Sequence, residues 1–500
     1  MSASPSIERW KRAEAFWAAR QDELARREFE ALLSDPDWML PANLRLGAIA
    51  VETSQVRAAA THALAAFYAR EPDPSLLEAL CRMLLNVGEI RSALHCVDDA
   101  SVAACGEPKL LMGFGRMMAE HGFHDRAADL LRRAREAGLD SAELHLLLGE
   151  AESQAGRLPA AEAELEACLA AAPNQAGAHV ALAALRRATH DHNHVARLRG
   201  LIERMPETHA DAPKLQFALF KELDDLGDTE AAWPALAAGL RLRHRRVRYM
   251  VADEVAMFDD LRKVLPGRPL ATEPGPAPVF IVGLPQSGAA FLESLLATDA
   301  RIVAAGELDD LVIQLRWCAQ RIGGTALEGE LVRACASADL SPLARRYLGH
   351  TQWRAAGKDF FVDRTPSHYL ALGYLANAMP NARFVHLVRD PMDACFANLK
   401  HLFPAGHGYS YDQAELAGHH GRYLALMAHW HAQFPGRIVD VAFESLVSDP
   451  YAAARSVFEH LGLDFTPVPV RAPDAREVGQ WRRYAGQLQP LHDALGLTTA

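Results

Sequence analysis

Hydrophobic and polar positions follow two different patterns along the chain. Over residues 7–265 they recur helix after helix, with almost no strand-like alternation. After residue 278 short apolar runs alternate with helical segments. The patterns predict a helical region at residues 1–265 and an α/β domain at residues 278–500. The stretch 266–277 between them is rich in Pro and Gly and is predicted to be a linker.

The helical region carries a repeat. Gly88, Gly122 and Gly156 are 34 residues apart, and each is followed by an alanine after five positions and by Val or Leu after nine. This period is typical of the tetratricopeptide repeat, which has two antiparallel helices per unit. We predict a solenoid in which small residues let paired helices approach closely, with a concave surface for a peptide, a protein partner or dimerisation. An irregular helical bundle that acts only as a scaffold is the alternative.

Four short apolar runs after residue 278 predict buried parallel strands. These runs are Val279–Val282, Phe360–Val362, Arg383–Val388 and Arg437–Ala442. Helices are predicted between and after them, at Glu307–Arg321, Ser367–Met379, Asp393–Leu402, Tyr411–Gln433, Tyr451–Leu461 and Val478–Leu495. The expected architecture is a parallel sheet covered by helices on both faces.

Composition narrows the classes of function. The chain of 500 residues is 50% hydrophobic and 23% charged, as in ordinary globular proteins of two or three domains. A net charge of −11 argues against a nucleic-acid coat and against a polybasic membrane binder. It does not exclude a small polyanionic ligand, which needs only a few local cations.

Cysteine and histidine usage predicts no metal site. The seven cysteines are scattered and show no zinc-binding spacing, which favours buried, reduced thiols. The alternating run of His190, His192 and His194 fits a solvated turn better than a metal site.

The first residues show no apolar signal core, and no run approaches the ~20 apolar residues of a membrane span. We therefore expect a cytoplasmic protein that does not bind membranes.

A glycine-punctuated loop, residues 283–290 (GLPQSGAA), joins the first predicted strand to a helix. In such a loop, unpaired N–H groups converge at a helix N-terminus, where the helix dipole also favours an anion. An ordinary strand-to-helix turn is the alternative. Ala289 and Ala290 stand where a nucleoside-triphosphate loop has Lys and Ser or Thr, so hydrolysis of ATP or GTP is not expected.

Three further polar motifs lie at or after predicted strands. They are Gly306-Glu307-Leu308, the stretch DRTPS at residues 363–367, and the stretch RDPMD at residues 389–393. Ligands of open α/β sheets collect at the carboxyl ends of the strands. The order of the strands decides whether all three motifs meet the loop 283–290.

In this order, the loop and the three motifs resemble the sulfotransferase superfamily. They are most similar to bacterial proteins that join tetratricopeptide repeats to a domain related to tyrosylprotein sulfotransferases. The resemblance covers residues 278–487, and residues 217–233 look like the last repeat of that group. It implies a P-loop-like α/β fold that transfers a sulfuryl group from 3′-phosphoadenosine-5′-phosphosulfate. The implied acceptor carries a hydroxyl group and is a peptide, a carrier-bound group or a small molecule.

The resemblance also implies roles for individual residues. The 5′-phosphosulfate end of the donor would bind to Gly283, Pro285, Gln286, Ser287, Gly288, Ala289 and Ala290. Arg389 would bind the 3′-phosphate, because a guanidinium fork suits a phosphate group. Arg482 and Arg483 match a cationic segment near the nucleotide. Glu307 matches a general base, and Arg364 matches a cation that stabilises charge on the bridging oxygen.

Each of these residues also has a purely structural interpretation. Arg389 fits a salt bridge at a strand end, and Glu307 fits a carboxylate at a helix N-terminus. Arg364 fits an exposed charge, and one of Arg482 and Arg483 fits a solvated helix face.

Four positions depart from the pattern of the superfamily. Gln286 replaces a cation, Ala289 and Ala290 replace hydroxyl residues, and Ala397 replaces a serine eight positions after Arg389. These departures favour a second hypothesis, a degenerate sulfotransferase-like binding or scaffold protein that acts through its repeats. A third hypothesis is a transferase that uses a different adenine-nucleotide-like donor.

Overall fold

The computed structural model describes residues 5–267, 274–404, 406–470 and 473–497. Residues 268–273 of the predicted linker lie outside these ranges. The chain divides into two compact units. The first comprises Met1–Ala161, Asp310–Thr325 and Ser337–His350, and the second comprises Glu162–Asp309, Ala326–Ala336 and Thr351–Ala500. The division of the sequence at residues 266–277 stays a prediction.

The first unit consists of helices joined in hairpins. Its N-terminal helices are Pro5–Ala18, Asp22–Leu32, Pro36–Glu52, Val56–Tyr68, Pro74–Asn86, Ile90–Val97, Ala100–Ala103, Pro108–Glu120, His124–Glu136 and Ala142–Gln154. The helix Leu158–Ala171 begins in this unit and ends in the second. Consecutive helices pack against each other in pairs. The predicted helical repeat fold is confirmed.

The 34-residue period is a repeat of turns. Gly88, Gly122 and Gly156 have φ of 81°, 78° and 77°, the left-handed region that glycine adopts without steric cost. An added Cβ at Gly122 or Gly156 would meet nothing within 4 Å. These two glycines therefore allow the backbone to turn. The small residues that are buried between the helices are alanines such as Ala127.

Two later segments of the chain belong to this first unit. The helix Asp310–Ala319 packs against the helix Val56–Tyr68. The guanidinium groups of Arg57 and Arg346 lie 4.5 and 3.8 Å from the ring centroid of Trp317. Local periodicity did not predict this packing, because it joins residues far apart in sequence.

The second unit contains one five-stranded sheet in which every pair of neighbouring strands is parallel. The strands are β1 (Ala277–Gly283), β2 (Ile302–Ala304), β3 (Phe360–Asp363), β4 (Arg383–Val388) and β5 (Ile438–Ala442), in the order β2-β3-β1-β4-β5. β1 lies at the centre, so the loop that follows it is flanked by the carboxyl ends of β3 and β4.

Alternate residues of the central strands face opposite sides of the sheet. Val279 and Val385 belong to a core that includes the helices Ala289–Leu296 and Pro450–Leu461. On the other face Phe280 stacks on Phe384 at 5.5 Å between ring centroids. Burial of such side chains contributes about 1.5–3 kcal/mol each. Helices cover both faces, and the predicted parallel α/β fold is confirmed.

Helices account for most of the remaining second unit. The α-helices are Ala176–Leu185, Val195–Arg204, Ala212–Leu226, Thr229–His244, Val251–Leu261, Ala289–Leu296, Gly329–Cys335, Leu343–Thr351 (all but its last residue in the first unit), Leu372–Ala378, Pro391–Leu399, Gln413–Gln433, Phe443–Ser448, Pro450–Leu461 and Gln489–Ala494. The 3₁₀ helices are Gln352–Ala355, Pro366–Tyr369, Gly408–Tyr411, Ala475–Glu477 and Gln480–Tyr484. Helices from residues 176–244 share a hydrophobic core with the helix Pro391–Leu399 and with Tyr484.

Three predicted helices differ from the structure. The helix predicted over residues 367–379 is a 3₁₀ helix, Pro366–Tyr369, followed by the α-helix Leu372–Ala378. The helix predicted from Glu307 begins only at Asp310, so Glu307 lies in a loop and not at a helix N-terminus. The helix predicted over residues 478–495 is a 3₁₀ helix followed by a short α-helix. Within the described ranges, no helix has both the length and the apolar character needed to cross a bilayer.

Candidate active site

The loop after β1 is shaped by close backbone contacts. An added Cβ at Gly283 would lie 2.7 Å from the carbonyl oxygen of Leu387 in β4, and one at Gly288 would lie 2.6 Å from the ring of Phe443. Gln286 and Gly288 have φ of 64° and 96°. The helix Ala289–Leu296 follows at once. In the first turn of this helix the N–H of Phe291 donates to the carbonyl oxygen of Gly288 at 3.1 Å. The start of a helix is a place that suits an anion.

A buried amide holds this loop in place. Asn398, fully buried on the helix Pro391–Leu399, donates Nδ2–H to the carbonyl oxygen of Pro285 at 2.9 Å. The N–H of Leu284 interacts with the hydroxyl of Tyr423. Sequence reasoning missed Asn398, although it stands nine positions after Arg389 on the helix that follows the same strand.

Arg389, directly after β4, contacts the loop. Its Nη1 donates to the carbonyl oxygen of Gln286 at 2.9 Å, and its Nη2 donates to that of Glu477 at 2.6 Å. The guanidinium lies 4.3 Å from the ring centroid of Phe443. Burial lowers the pKa of Arg389. The buried Nε has no partner within the described chain, so a cation with unused hydrogen-bonding capacity adjoins the loop.

Glu307 and Arg364 form one cluster. Arg364, just after β3, makes an ion pair with Glu307 through Nη1 and a hydrogen bond of 2.6 Å from Nε to Glu293. Glu293, on the helix that the loop opens, also accepts the N–H of Gly306 at 2.8 Å. Burial raises the pKa of Glu293. Arg364 is therefore tied to the loop helix by a carboxylate that sequence reasoning did not single out.

The two candidate cations of the C-terminal segment lie in different surroundings. Arg483 makes an ion pair with Asp224 at 2.5 Å, and Asp224 also accepts a hydrogen bond from Tyr484. Arg482 is exposed, with its guanidinium 5.1 Å from the ring centroid of Trp481. Asp393 fixes the segment by accepting the N–H of Gly479 at 2.6 Å.

A cavity of about 730 Å³ lies beside Arg389. Its size is within the range of pockets that bind small molecules. Its charged and polar lining residues are Arg186, Arg187, Lys221, Asp224, Asp225, Gln286, Arg389, Lys400, His401, Asp474, Arg476, Glu477, Gln480 and Arg483. Gln286 comes from the loop, whereas Glu307, Arg364 and Arg482 do not line this cavity. Cations outnumber carboxylates in the lining, although the whole chain is acidic.

Two residues of the histidine run contact carboxylates. His192 and His194 pair with Glu162 and Glu222 at 3.2 and 2.6 Å. His386, His431 and Asp440 form a separate group of potential metal ligands. The carboxylate of Asp440 lies 2.8 Å from Nδ1 of His386 and 3.0 Å from Nε2 of His431. Within this group the imidazoles already have hydrogen-bond partners.

Part of the second half of the chain is similar to known proteins. Residues 278–467 match the model of the sulfotransferase family, which confirms the resemblance that the motifs predicted. A curated but uncharacterised protein of Aquifex aeolicus (strain VF5) is 25% identical over 312 residues, which are 56% of this chain and 41% of that protein. The chain thus spans about two fifths of the length of this relative.

Two solved structures are also similar to this chain. One is a sulfotransferase domain from the curacin biosynthetic pathway, 15% identical with a TM-score of 0.31, covering 46% of this chain and 100% of that chain. The other is a tetratricopeptide repeat protein from Parabacteroides merdae, 15% identical with a TM-score of 0.33, covering 47% of this chain and 93% of that chain.

Proposed function

We propose that residues 278–467, which match the sulfotransferase family, transfer a sulfuryl group from 3′-phosphoadenosine-5′-phosphosulfate to a hydroxyl-bearing acceptor. The observation that carries the proposal is the contact between Arg389 and Gln286. It joins a buried guanidinium, suited to a phosphate, to a loop with unpaired N–H groups. A donor with phosphate groups at both ends needs such a pair of neighbouring anion sites.

The proposed chemistry is an in-line displacement. The acceptor oxygen would form a bond to sulfur while the bond from sulfur to the bridging oxygen breaks. Glu307 would take the hydroxyl proton, and its half-exposed carboxylate is accessible to an acceptor. Arg364 and the loop N–H groups would stabilise the negative charge that the departing bisphosphate acquires.

The ion pair between Glu307 and Arg364 supports these two roles together. Arg364 is held between Glu307 and Glu293, so its position is fixed before any substrate binds. This cluster is attached to the helix that follows the loop, and Arg389 is attached to the loop itself. Arg364 and Arg389 are thus each bonded to a residue of the segment 286–293, and Glu307 is bonded to Arg364.

The helical repeats would bind or present the acceptor. A peptide, a carrier-bound group and a small molecule all remain within the proposal, and a protein partner or a second copy of the chain would use the same helices. We propose a cytoplasmic location and no nucleic-acid or membrane partner.

A second function is favoured by the surroundings of Arg389. Both of its Nη groups already donate to main-chain carbonyls, and the loop lacks the cation and hydroxyl groups of related loops at Gln286, Ala289 and Ala290. These features also suit a degenerate domain that supports a binding protein.

Calorimetry with adenosine 3′,5′-bisphosphate distinguishes the two functions. We expect micromolar binding by the wild type and affinity that is lower by about 10- to 100-fold in Arg389→Ala, because a charge-assisted contact is lost. Arg383→Ala, at the opposite end of β4, is the control and should bind as the wild type does. Absence of binding at millimolar bisphosphate would leave only the binding-protein function.

A further inference from the structure

Three cations that line the cavity lack a carboxylate partner. In the described chain Arg187, Arg389 and Lys400 make no ion pair, whereas the other lining cations do. The paired ones are Arg186 with Glu162, Lys221 with Asp225, Arg476 with Asp474 and Arg483 with Asp224. Cations in a cavity that contact no carboxylate, although carboxylates lie nearby, can bind an anionic ligand directly.

Lys400 is the most informative of the three. It ends the helix Pro391–Leu399, and its ammonium lies 5.4 Å from the ring centroid of Phe396 and donates to the side-chain oxygen of Gln480. An ammonium has three donors, and a neutral amide oxygen uses one of them. Burial lowers the pKa of Lys400, the carboxylate of Asp224 opposes this effect, and the guanidinium of Arg389 adds to it. A bound anion would offset the effects of burial and of Arg389.

The position of Lys400 complements that of Ala397. The two residues are three positions apart, so they lie on one side of the helix end, and both line the cavity. Ala397 offers no hydroxyl group to a ligand. A lysine one turn further along brings a full charge to the same part of the wall.

Arg187 comes from the helical region. It lies between the helices Ala176–Leu185 and Val195–Arg204, and its Nη2 donates to the carbonyl oxygen of Asp225 at 3.1 Å. Its side chain is exposed apart from this contact. The cavity therefore has one wall from the helical region and one from the sheet domain, both within the second compact unit.

We propose that Lys400 and Arg187, together with Arg389, bind the 3′-phosphate of the donor nucleotide, so that the helical region completes the donor site. This inference rests on the proposed function. A phosphomonoester carries nearly two negative charges and three acceptor oxygens, which match three otherwise unpaired cations.

Calorimetry with two nucleotides tests the proposal. Adenosine 3′,5′-bisphosphate carries the 3′-phosphate, and adenosine 5′-monophosphate lacks it. Lys400→Met keeps most of the side-chain volume and should weaken bisphosphate binding by about 10- to 100-fold while leaving monophosphate binding within about twofold. Arg187→Ala should act in the same direction but by about 3- to 10-fold, because an exposed charge is worth less. Arg476→Ala, which removes a paired cation from the same cavity, is the matched control and should leave both affinities unchanged.

The remaining outcomes separate this inference from the proposed function. Bisphosphate binding that is unaffected by Lys400→Met, or equal losses for both nucleotides with an unchanged unfolding temperature, would overturn the role of Lys400 and leave the sulfotransferase proposal in place. If the wild type binds neither nucleotide, the donor assignment fails, and titration with pyrophosphate then tests the cavity alone. Pyrophosphate binding that weakens in Lys400→Met would support an anion site, and no binding would overturn it.

Discussion

At the scale of single residues, the site depends on how each cation is partnered. Arg389 donates to carbonyl oxygens, Arg364 is held between two carboxylates, and Lys400 donates to an amide oxygen. Chemical type alone does not separate these cases, because all three are buried or half-buried cations in one domain. Their different partners support the proposal that Arg364 stabilises charge and that the other two bind phosphate.

The role of Glu307 makes a prediction at this scale. Glu307→Gln keeps the shape of the side chain but removes the base, so turnover should fall by about 10²- to 10⁴-fold with any acceptor that the wild type sulfates. The affinity for adenosine 3′,5′-bisphosphate should stay within about twofold, because Glu307 does not line the cavity. Transfer of radiolabelled sulfate and calorimetry measure the two quantities.

Glu307→Asp provides the comparison for this variant. It retains a carboxylate on a shorter side chain, so it should recover part of the lost turnover. Full activity of Glu307→Gln would show that another group accepts the proton.

At the scale of elements, side chains from other helices and strand ends hold the connection from β1 to the helix Ala289–Leu296 in place. Asn398 bonds to Pro285, Arg389 bonds to Gln286, and Phe443 packs where Gly288 has no side chain. Three separate helices or strand ends therefore constrain three of the four loop residues 285–288. A loop held in this way can keep its N–H groups in place without a ligand.

Gly288 tests this element. Gly288→Ala would place a Cβ 2.6 Å from the ring of Phe443 at a φ of 96°, so it should lower the free energy of unfolding by about 1–3 kcal/mol and weaken nucleotide binding. Gly421→Ala is the control, since Gly421 lies within the helix Gln413–Gln433 and its Cβ would meet nothing within 4 Å. That variant should gain up to about 1 kcal/mol.

Urea unfolding measured for both glycine variants checks the sign of each effect. A Gly288→Ala protein as stable as the wild type would show that Phe443 moves aside easily and that the loop is less constrained than we infer.

The repeated glycines of the helical region act through the turns between helices. The period of 34 residues predicted the hairpins correctly, but Gly122 and Gly156 act through their turn conformation and not through helix contact. Their φ values explain why the glycines recur in phase with the helices.

At the scale of the whole molecule, six of the seven cysteines are buried and Cys105 is partly exposed. Burial raises the pKa of Cys81, Cys96 and Cys395, which further lowers their reactivity. We expect a thiol reagent to modify one group in the native protein and seven after unfolding.

Cys105→Ser should remove the native reaction without changing the thermal unfolding temperature. Rapid labelling of several thiols in the wild type would contradict the burial of the other six.

The sequence by itself determined the classes of structure and the order of the motifs. The 34-residue period, the four apolar runs and the loop 283–290 are local patterns. Such patterns predict local structure directly, because they reflect backbone preferences of neighbouring residues. The strand ends placed Arg364 and Arg389 correctly relative to β3 and β4, because a parallel sheet gathers its carboxyl ends at one edge.

Only the tertiary structure decided what each charged group touches. The contacts of Arg389 with Gln286, of Arg364 with Glu293 and of Lys400 with Gln480 join residues that are 103, 71 and 80 positions apart. No local pattern encodes such a separation, because the partner is set by strand order and by the way helices pack across the sheet. For the same reason the sequence did not show that residues 310–325 leave the sheet domain and belong to the first compact unit.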